Sequence, residues 1–226
     1  MRFKLLRKDK EVGDVTSFVF EPEQPVSWVA GQYMRVELDH EGDPEDRLEF
    51  EHWFTISAPP YEKHPAITTH VSQSTFKQAL DHIPIGGEIT VDGIEGDFIW
   101  RESALPLVFI AGGIGITPVH SILKQRVYDN EPVPAILVYA NKERDVVFGD
   151  EIEHWRMSHP ELKVHYVIGE RLTPEKCHEL VPGLNASQVY ITGPQGMVDA
   201  IGVGLMKAGL EESQLTRDWF PGYTDY

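Results

Sequence analysis

In the first part of the chain, apolar positions alternate with polar ones in short runs. TSFVFEP, YMRVELD, WFTISA, AITTHV and EITVDG are each rich in β-branched and aromatic side chains, and clusters of Gly, Pro or Asp separate them. Short, closely spaced strands of this kind predict an antiparallel barrel or sandwich. STFKQALDHI interrupts the series. Ser74 or Thr75 is a good N-cap, and helix formers follow. Beyond residue 102 the pattern changes. LPLVFIAG is a continuous apolar run and PVHSILKQRVYDN reads as a helix. The same alternation repeats through AILVYA, DVVFGDEIEHWRMS, KVHYVI, TPEKCHELV, QVYITGP and GMVDAIGVGLMKAGL. That order predicts a parallel sheet wrapped by helices. The expected fold is an antiparallel β barrel over residues 1–102 followed by an α/β domain over residues 103–226.

Composition narrows the class. The 226 residues are 41% hydrophobic and 25% charged, a globular balance. The net charge of -16 repels nucleic acid backbones and anionic membranes, so neither is expected as a partner. Acid crowds one segment, Asp39, Glu41, Asp43, Glu45, Asp46, Glu49 and Glu51, which reads as a solvated hairpin loop. Cys177 is the only cysteine, which excludes an internal disulfide and a cluster held by four thiolates of this chain. Residues 1–10 carry five basic residues and one acid with no apolar core, so they read as a basic arm and not a signal peptide. Residues 103–123 lack charge, but three glycines, two prolines and His120 fit a strand, loop and helix better than a membrane span. A cytoplasmic location is expected. The ten histidines show no HExxH or other tight metal spacing, so no metal site is expected.

The stretch FIAGGIGITP carries the first chemical signal. Gly112, Gly113 and Gly115 follow an apolar strand, and glycine lets a bound group approach the backbone. Pro118 suits the first position of a helix, whose positive end would face a diphosphate. The stretch is neither GxGxxG nor a P-loop. AGGIGITP, YANKER and TGPQGM each follow a strand, so all three should line the carboxyl edge of one sheet, where ligands of open α/β sheets bind.

With these motifs in order, the chain resembles the ferredoxin–NADP⁺ reductase family, flavoproteins with an FAD barrel and a pyridine-nucleotide domain. GQYMRVEL is similar to the barrel strand before the flavin motif. HWFTIS resembles the family's Arg-x-Tyr/Phe-Ser/Thr, and STFKQAL the helix that faces the flavin diphosphate. GGEITVDGIEGDF resembles the barrel closure. AGGIGITP resembles Gly-Gly-Thr-Gly-Ile-x-Pro, ITGPQGM resembles Cys-Gly-Pro-x-x-Met, and DWFPGY the terminal acid-x-Phe segment. Four residues depart from the pattern: His52 stands for arginine, Ile114 for threonine, Thr192 for cysteine and Asp218 for glutamate.

The resemblance implies an NAD(P)H-dependent reductase that binds FAD, or less fittingly FMN, and passes electrons to an external carrier such as a ferredoxin or another small redox protein. His52, Trp53, Phe54 and Thr55 would meet the flavin, with Thr55 near its reactive nitrogen. Ser74, Thr75 and Phe76 would open the diphosphate helix. Gly112, Gly113, Gly115, Thr117 and Pro118 would cradle the nucleotide, with Gly193, Pro194 and Met197 across from them. Thr192 and Asp218 would flank the nicotinamide, and Phe220, with Trp219, Tyr223 and Tyr226, would shield the flavin. Lys142 and Arg171 would favour NADPH over NADH by meeting its 2′-phosphate, although Glu143 stands beside Lys142. The basic arm is the evident counter-patch for an acidic ferredoxin. Two other readings stay open on the same scaffold: a free-flavin or ferric-chelate reductase, and a non-catalytic flavin or nucleotide sensor.

Overall fold

The computed structural model describes residues 1–38, 51–71 and 74–220. The acidic stretch 39–50 and the terminal aromatics Tyr223 and Tyr226 lie outside them, as does the side chain of Phe220. The chain divides into two compact units, Met1–Ile99 and Trp100–Tyr226.

Six antiparallel strands build the first unit among the described residues. They are β1 (Arg2–Lys10), β2 (Val15–Pro22), β3 (Tyr33–Glu37), β4 (Glu51–Thr55), β5 (Ala66–His70) and β6 (Glu88–Glu95), in the order β4-β3-β6-β1-β2-β5. Beyond β4, the Ser57 N–H donates to the Ala66 carbonyl at 2.9 Å, and its hydroxyl meets that of Thr68 at 2.8 Å. The last strand of one edge is thereby stitched to the other edge, and the sheet curls into a nearly closed barrel. Inward positions alternate as the sequence predicts: Phe18 and Phe20 of β2, Met34 and Val36 of β3, and Ile89 and Val91 of β6 are all buried. Each side chain of this size contributes about 1.5–3 kcal/mol on burial. One helix, α1 (Thr75–His82), packs Phe76 and Leu80 into the same core.

Residues 1–10 correct the sequence reading. They are not an arm but strand β1, seated between β6 and β2 with Phe3 and Leu5 fully buried. Several of their bases are already engaged. Arg2 pairs with Glu88, Arg7 with Asp9, Lys8 donates to the Asp81 carbonyl, and Lys10 donates to Thr16. The density of basic residues masked the apolar alternation beneath it.

The second unit holds a five-stranded parallel sheet. Its elements are β7 (Leu107–Gly112), α2 (Ile116–Tyr128), β8 (Ala135–Asn141), α3 (Gly149–Ser158), β9 (Lys163–Ile168), α4 (Pro174–Leu180), β10 (Gln188–Pro194), α5 (Gln195–Lys207) and β11 (Leu215–Phe220). The sheet order is β11-β10-β7-β8-β9. The chain leaves β7 toward β8 and β9, then returns to the other side of β7 through β10. The order therefore reverses between β7 and β10, and such a switch point opens a crevice at the carboxyl ends of the strands. Among the described residues no helix is long and apolar enough to cross a membrane.

Candidate functional site

Each unit carries its own candidate site. In the parallel-sheet unit, two turns meet at the switch point. Gly112 ends β7 in extended conformation, and a 3-10 turn, Gly113–Gly115, leads into α2. The three glycines serve different ends. Gly113 has φ +52°, a left-handed backbone that a side chain would strain, and a Cβ placed on it would meet nothing within 4 Å. Its outer face is open. A Cβ on Gly115 would lie 2.5 Å from Gly193 Cα and 2.7 Å from Gly193 N, so Gly115 is needed for the turn after β10 to close against it. Gly193 has φ +145°, and a Cβ there would meet Met197 Cε at 2.8 Å and Gly112 O at 3.1 Å. Gly115, Gly193 and Met197 thus interlock the two turns, while Gly113 leaves backbone exposed for a ligand. Thr117 lies beneath the turn, its hydroxyl donating to the Ile114 carbonyl at 3.1 Å. Pro118 is the third helical residue, not the first. The 3-10 turn runs straight into α2 and adds Ile116 and Thr117 ahead of it. Proline is tolerated there because first-turn N–H groups have no intrahelical acceptor.

Thr192 of β10 sits beside Asp218 of β11 in the parallel register, with Gly193 beside Trp219 and Pro194 beside Phe220. Thr192 is fully buried and its Oγ1 has no hydrogen-bond partner among the described residues. Burial pushes the Asp218 carboxyl up to about 6, so it exchanges its proton close to neutrality. Lys142 and Arg171 are exposed in the turns that follow β8 and β9. The Gly169 N–H donates to the Asn141 carbonyl at 2.9 Å and ties those two turns together at the same carboxyl edge.

A cluster that the sequence does not reveal supports this edge. His120 of α2 is 3% exposed and shares a 2.7 Å hydrogen bond with Glu151 of α3, which Lys124 also holds at 2.9 Å. The imidazole stacks on Phe148 at 3.6 Å, and Phe148 itself takes φ +60°. Burial alone would raise the Glu151 carboxyl, but hydrogen bonds and charge from His120 and Lys124 overcome it and hold it at about 2. The cluster ties α2 to the start of α3, at the end of the turn that carries Lys142 and Arg144. The one sequence signal for it is a histidine inside an otherwise apolar stretch.

In the barrel unit, β4 presents two faces. His52 stacks on Phe76 of α1 at 4.2 Å and on Phe54 at 5.9 Å, so His52 and Phe54 face the core helix. Phe54 is 7% exposed and Phe76 fully buried. Trp53 and Thr55 alternate to the other face. Trp53 is 41% exposed. Thr55 is buried, and its Oγ1 has no hydrogen-bond partner among the described residues. Ser74 caps α1, accepting the Lys77 N–H at 3.2 Å, while Thr75 is exposed at the helix start.

Lys77 is the charged group in this region that the sequence undervalues. It is 6% exposed, and burial pulls its ammonium down to about 8 against the opposing attraction of Asp14. Asp14 also holds His70 at 2.5 Å.

A buried hydroxyl without a partner costs about 1–3 kcal/mol. Thr55 and Thr192 therefore ask for ligand atoms, and the open face of Gly113 provides room for a diphosphate. The donors and the cradle fit a flavin in the first unit and a pyridine nucleotide in the second. A barrel followed by a parallel sheet defines the fold class, and the glycine turns at the switch point leave backbone open to a nucleotide diphosphate.

Comparison with known proteins agrees. Residues 109–202 match the oxidoreductase NAD-binding domain. A flavohemoprotein from Burkholderia sp. (strain TH2) is 25% identical, the match covering 96% of this chain and 58% of that protein, so the chain spans less than two thirds of this relative. The FAD/NAD-binding domain of nitric oxide dioxygenase from Vibrio cholerae superposes with TM-score 0.80 at 19% identity, over 97% of this chain and 98% of that one. The ferredoxin–NADP⁺ reductase of Plasmodium falciparum, solved with 2′P-AMP, superposes with TM-score 0.78 at 15% identity, over 97% and 95%. These superpositions show the fold, and the family match identifies residues 109–202 as an oxidoreductase NAD-binding domain.

Proposed function

We propose that the chain is an NAD(P)H-dependent reductase in which the barrel unit, residues 1–102, holds FAD and the α/β unit, residues 103–226, holds the pyridine nucleotide. Electrons then leave to an external carrier. Bound FAD would supply the hydride acceptor and release electrons singly or in pairs. The observation that carries the reading is the pair of buried hydroxyls, Thr55 and Thr192, one in each unit, that have no hydrogen-bond partner among the described residues. Thr55 orients the flavin ring by one hydrogen bond, and Thr192 does the same for the nicotinamide amide. Asp218, beside Thr192 and poised near neutrality, holds or releases a proton at its carboxyl. Ser74, Thr75 and the first turn of α1 receive the flavin diphosphate, and Gly112 and Gly113 receive that of the nucleotide. Lys142 and Arg171 favour NADPH, because only its 2′-phosphate gives a cation an extra charge to meet.

A ferredoxin or another small redox protein is the proposed acceptor class. The names of similar proteins, a flavohemoprotein and a ferredoxin–NADP⁺ reductase, support electron delivery to haem or iron–sulfur groups. The net charge of -16, with several β1 bases already engaged, favours a carrier that is not strongly acidic.

Anaerobic stopped-flow reduction with NADPH and with NADH, followed by a screen of ferredoxin, cytochrome c, free flavin and ferric chelates, tests the proposal. Yellow protein that bleaches rapidly and then reduces a protein carrier supports it. Colourless protein that retains neither FAD nor FMN refutes it and leaves the nucleotide-sensor reading. Turnover with free flavin or ferric chelates but no protein carrier moves the assignment to those substrates.

A further inference from the structure

We infer that His120 is a positioning residue for the nucleotide's 2′-phosphate: its ring holds Phe148 in a left-handed backbone and so sets the course of the turn that carries Lys142 and Arg144. The inference rests on the proposed nucleotide reading and names what makes that turn selective.

Composition alone does not make it so. Lys142, Glu143, Arg144 and Asp145 alternate in sign and are all exposed. Their formal charges cancel, so a phosphate at this turn is attracted or repelled according to which side chains the backbone directs toward it. Selectivity is therefore a matter of backbone course.

The sheet fixes the start of the turn. Asn141 ends β8, its carbonyl accepts the Gly169 N–H at 2.9 Å, and its side-chain oxygen accepts the Glu143 N–H at 3.5 Å. The far end is strained. Phe148 takes φ +60° where the turn enters α3, and no side-chain cap holds that helix start. A bulky residue rarely adopts this conformation, because its Cβ crowds the backbone, and it persists only where neighbours enforce it. His120 is such a neighbour. Its imidazole lies 3.6 Å from the Phe148 ring, centroid to centroid, with 14° between the planes. The imidazole is fixed in turn by the 2.7 Å hydrogen bond to Glu151 and by Trp155, whose ring lies at 5.4 Å. Phe148, Glu151 and Trp155 recur at helical spacing, so one face of α3 grips one side chain of α2.

His120 also stands one turn beyond Ile116, where the glycine turn passes into α2. The helix that begins at the proposed diphosphate cradle thus holds the end of the cation-bearing turn. Without the ring, Phe148 is free to relax to negative φ, and the peptides before it reorient. The Tyr139 hydroxyl still donates to the Val147 carbonyl at 3.4 Å, so the turn is redirected and not unfolded.

Isothermal titration calorimetry of the full chain with NADP⁺ and with NAD⁺, which differ only in the 2′-phosphate, tests the inference without any measure of turnover. Wild type should favour NADP⁺. His120→Leu keeps the site apolar and leaves Glu151 paired with Lys124 at 2.9 Å, so the fold should be retained. It should weaken NADP⁺ about tenfold, the loss of one charge-assisted contact, and leave NAD⁺ within about twofold. His120→Gln keeps a donor for Glu151 but no ring, and should lose the same preference. His120→Phe keeps a ring on Phe148 and should recover most of it. Parallel loss of both nucleotides in folded His120→Leu would reduce His120 to a packing residue and overturn the inference. So would an unchanged preference in His120→Leu or His120→Gln, or a loss in His120→Phe as large as in His120→Leu. Wild-type protein that binds NADP⁺ and NAD⁺ equally overturns it together with the NADPH preference. Wild-type protein that binds neither refutes the nucleotide reading itself, a separate and recognisable outcome.

Discussion

Replacing Gly113 and Gly115 one at a time separates a glycine kept for a ligand from one kept for packing. An alanine at Gly113 must hold φ near +52°, which costs about 1–2 kcal/mol for an L-residue. Its methyl meets nothing within 4 Å, so no clash adds to that. The unfolding midpoint of the unit should fall by about 2–12 °C. An alanine at Gly115 drives its methyl to 2.5 Å from Gly193 Cα, and backbone cannot swing aside as a side chain can. The turns after β7 and β10 must part, at about 3 kcal/mol or more. Function should split the other way. The Gly113 methyl fills the open space in which the nucleotide diphosphate is proposed to lie, so NADPH affinity should drop about tenfold or more, equivalent to about 1.4 kcal/mol. Flavin content should stay unchanged, because the flavin residues belong to the other unit. Differential scanning calorimetry gives the first quantity. The nucleotide dependence of flavin reduction in an anaerobic stopped-flow gives the second. A folded Gly113→Ala protein with the half-saturating NADPH concentration of wild type would show that the nucleotide does not use this turn. A Gly115→Ala protein as stable as Gly113→Ala would refute the packing argument.

Burial favours the protonated form of Asp218, so its contribution to stability is fully present below about 3.8 and is lost as pH rises through about 6. Asp218→Asn should therefore be more stable than wild type at pH values well above 6, and a pH-dependent change in hydride transfer near that value should vanish; unchanged thermal melts and an unchanged rate profile would contradict this. Glu151 behaves oppositely. Its stabilising effect is present above the ordinary 4.5 and drains away as pH falls toward about 2, modestly because the side chain is 42% exposed. Glu151→Gln should show a flatter fall in acid denaturation, and a wild-type-like slope would mean that the His120 contact is not what holds the carboxylate. Lys142→Ala and Arg171→Ala should each weaken NADPH more than NADH in the same stopped-flow assay, whereas equal losses would end the preference for NADPH.

Much of the architecture is legible in the sequence because it rests on local periodicity. Five of the six barrel strands follow from two-residue alternation, and helix α1 from the cap at Ser74. The strand–helix repeat after residue 102 predicts the parallel sheet, since each of its crossovers is completed within a short stretch of chain. β1 escapes this reading. Its bases dominate the local composition, and only pairing with β2 and β6 makes a core strand of it. β11 escapes as well, since a segment read as a flavin-side tail becomes an edge strand through its pairing with β10.

The candidate site divides along the same line. Composition and motif order alone determined that glycines cluster after a strand, that a threonine replaces the usual thiol at position 192, and that histidine stands at position 52. Tertiary structure decided what each of these does. Gly115 and Gly193 are distant in sequence, yet their backbones approach so closely that neither can bear a Cβ, while Gly113, two residues from Gly115, faces open space. Stacking on Phe76 turned His52 into a packed ring, and burial turned Lys77 from one surface lysine among several into a constrained charge. The physical reason is common to all of them. Periodicity and capping are properties of neighbours along the chain, whereas backbone approach, desolvation and the sharing of a counter-charge depend on which distant segments the fold brings together.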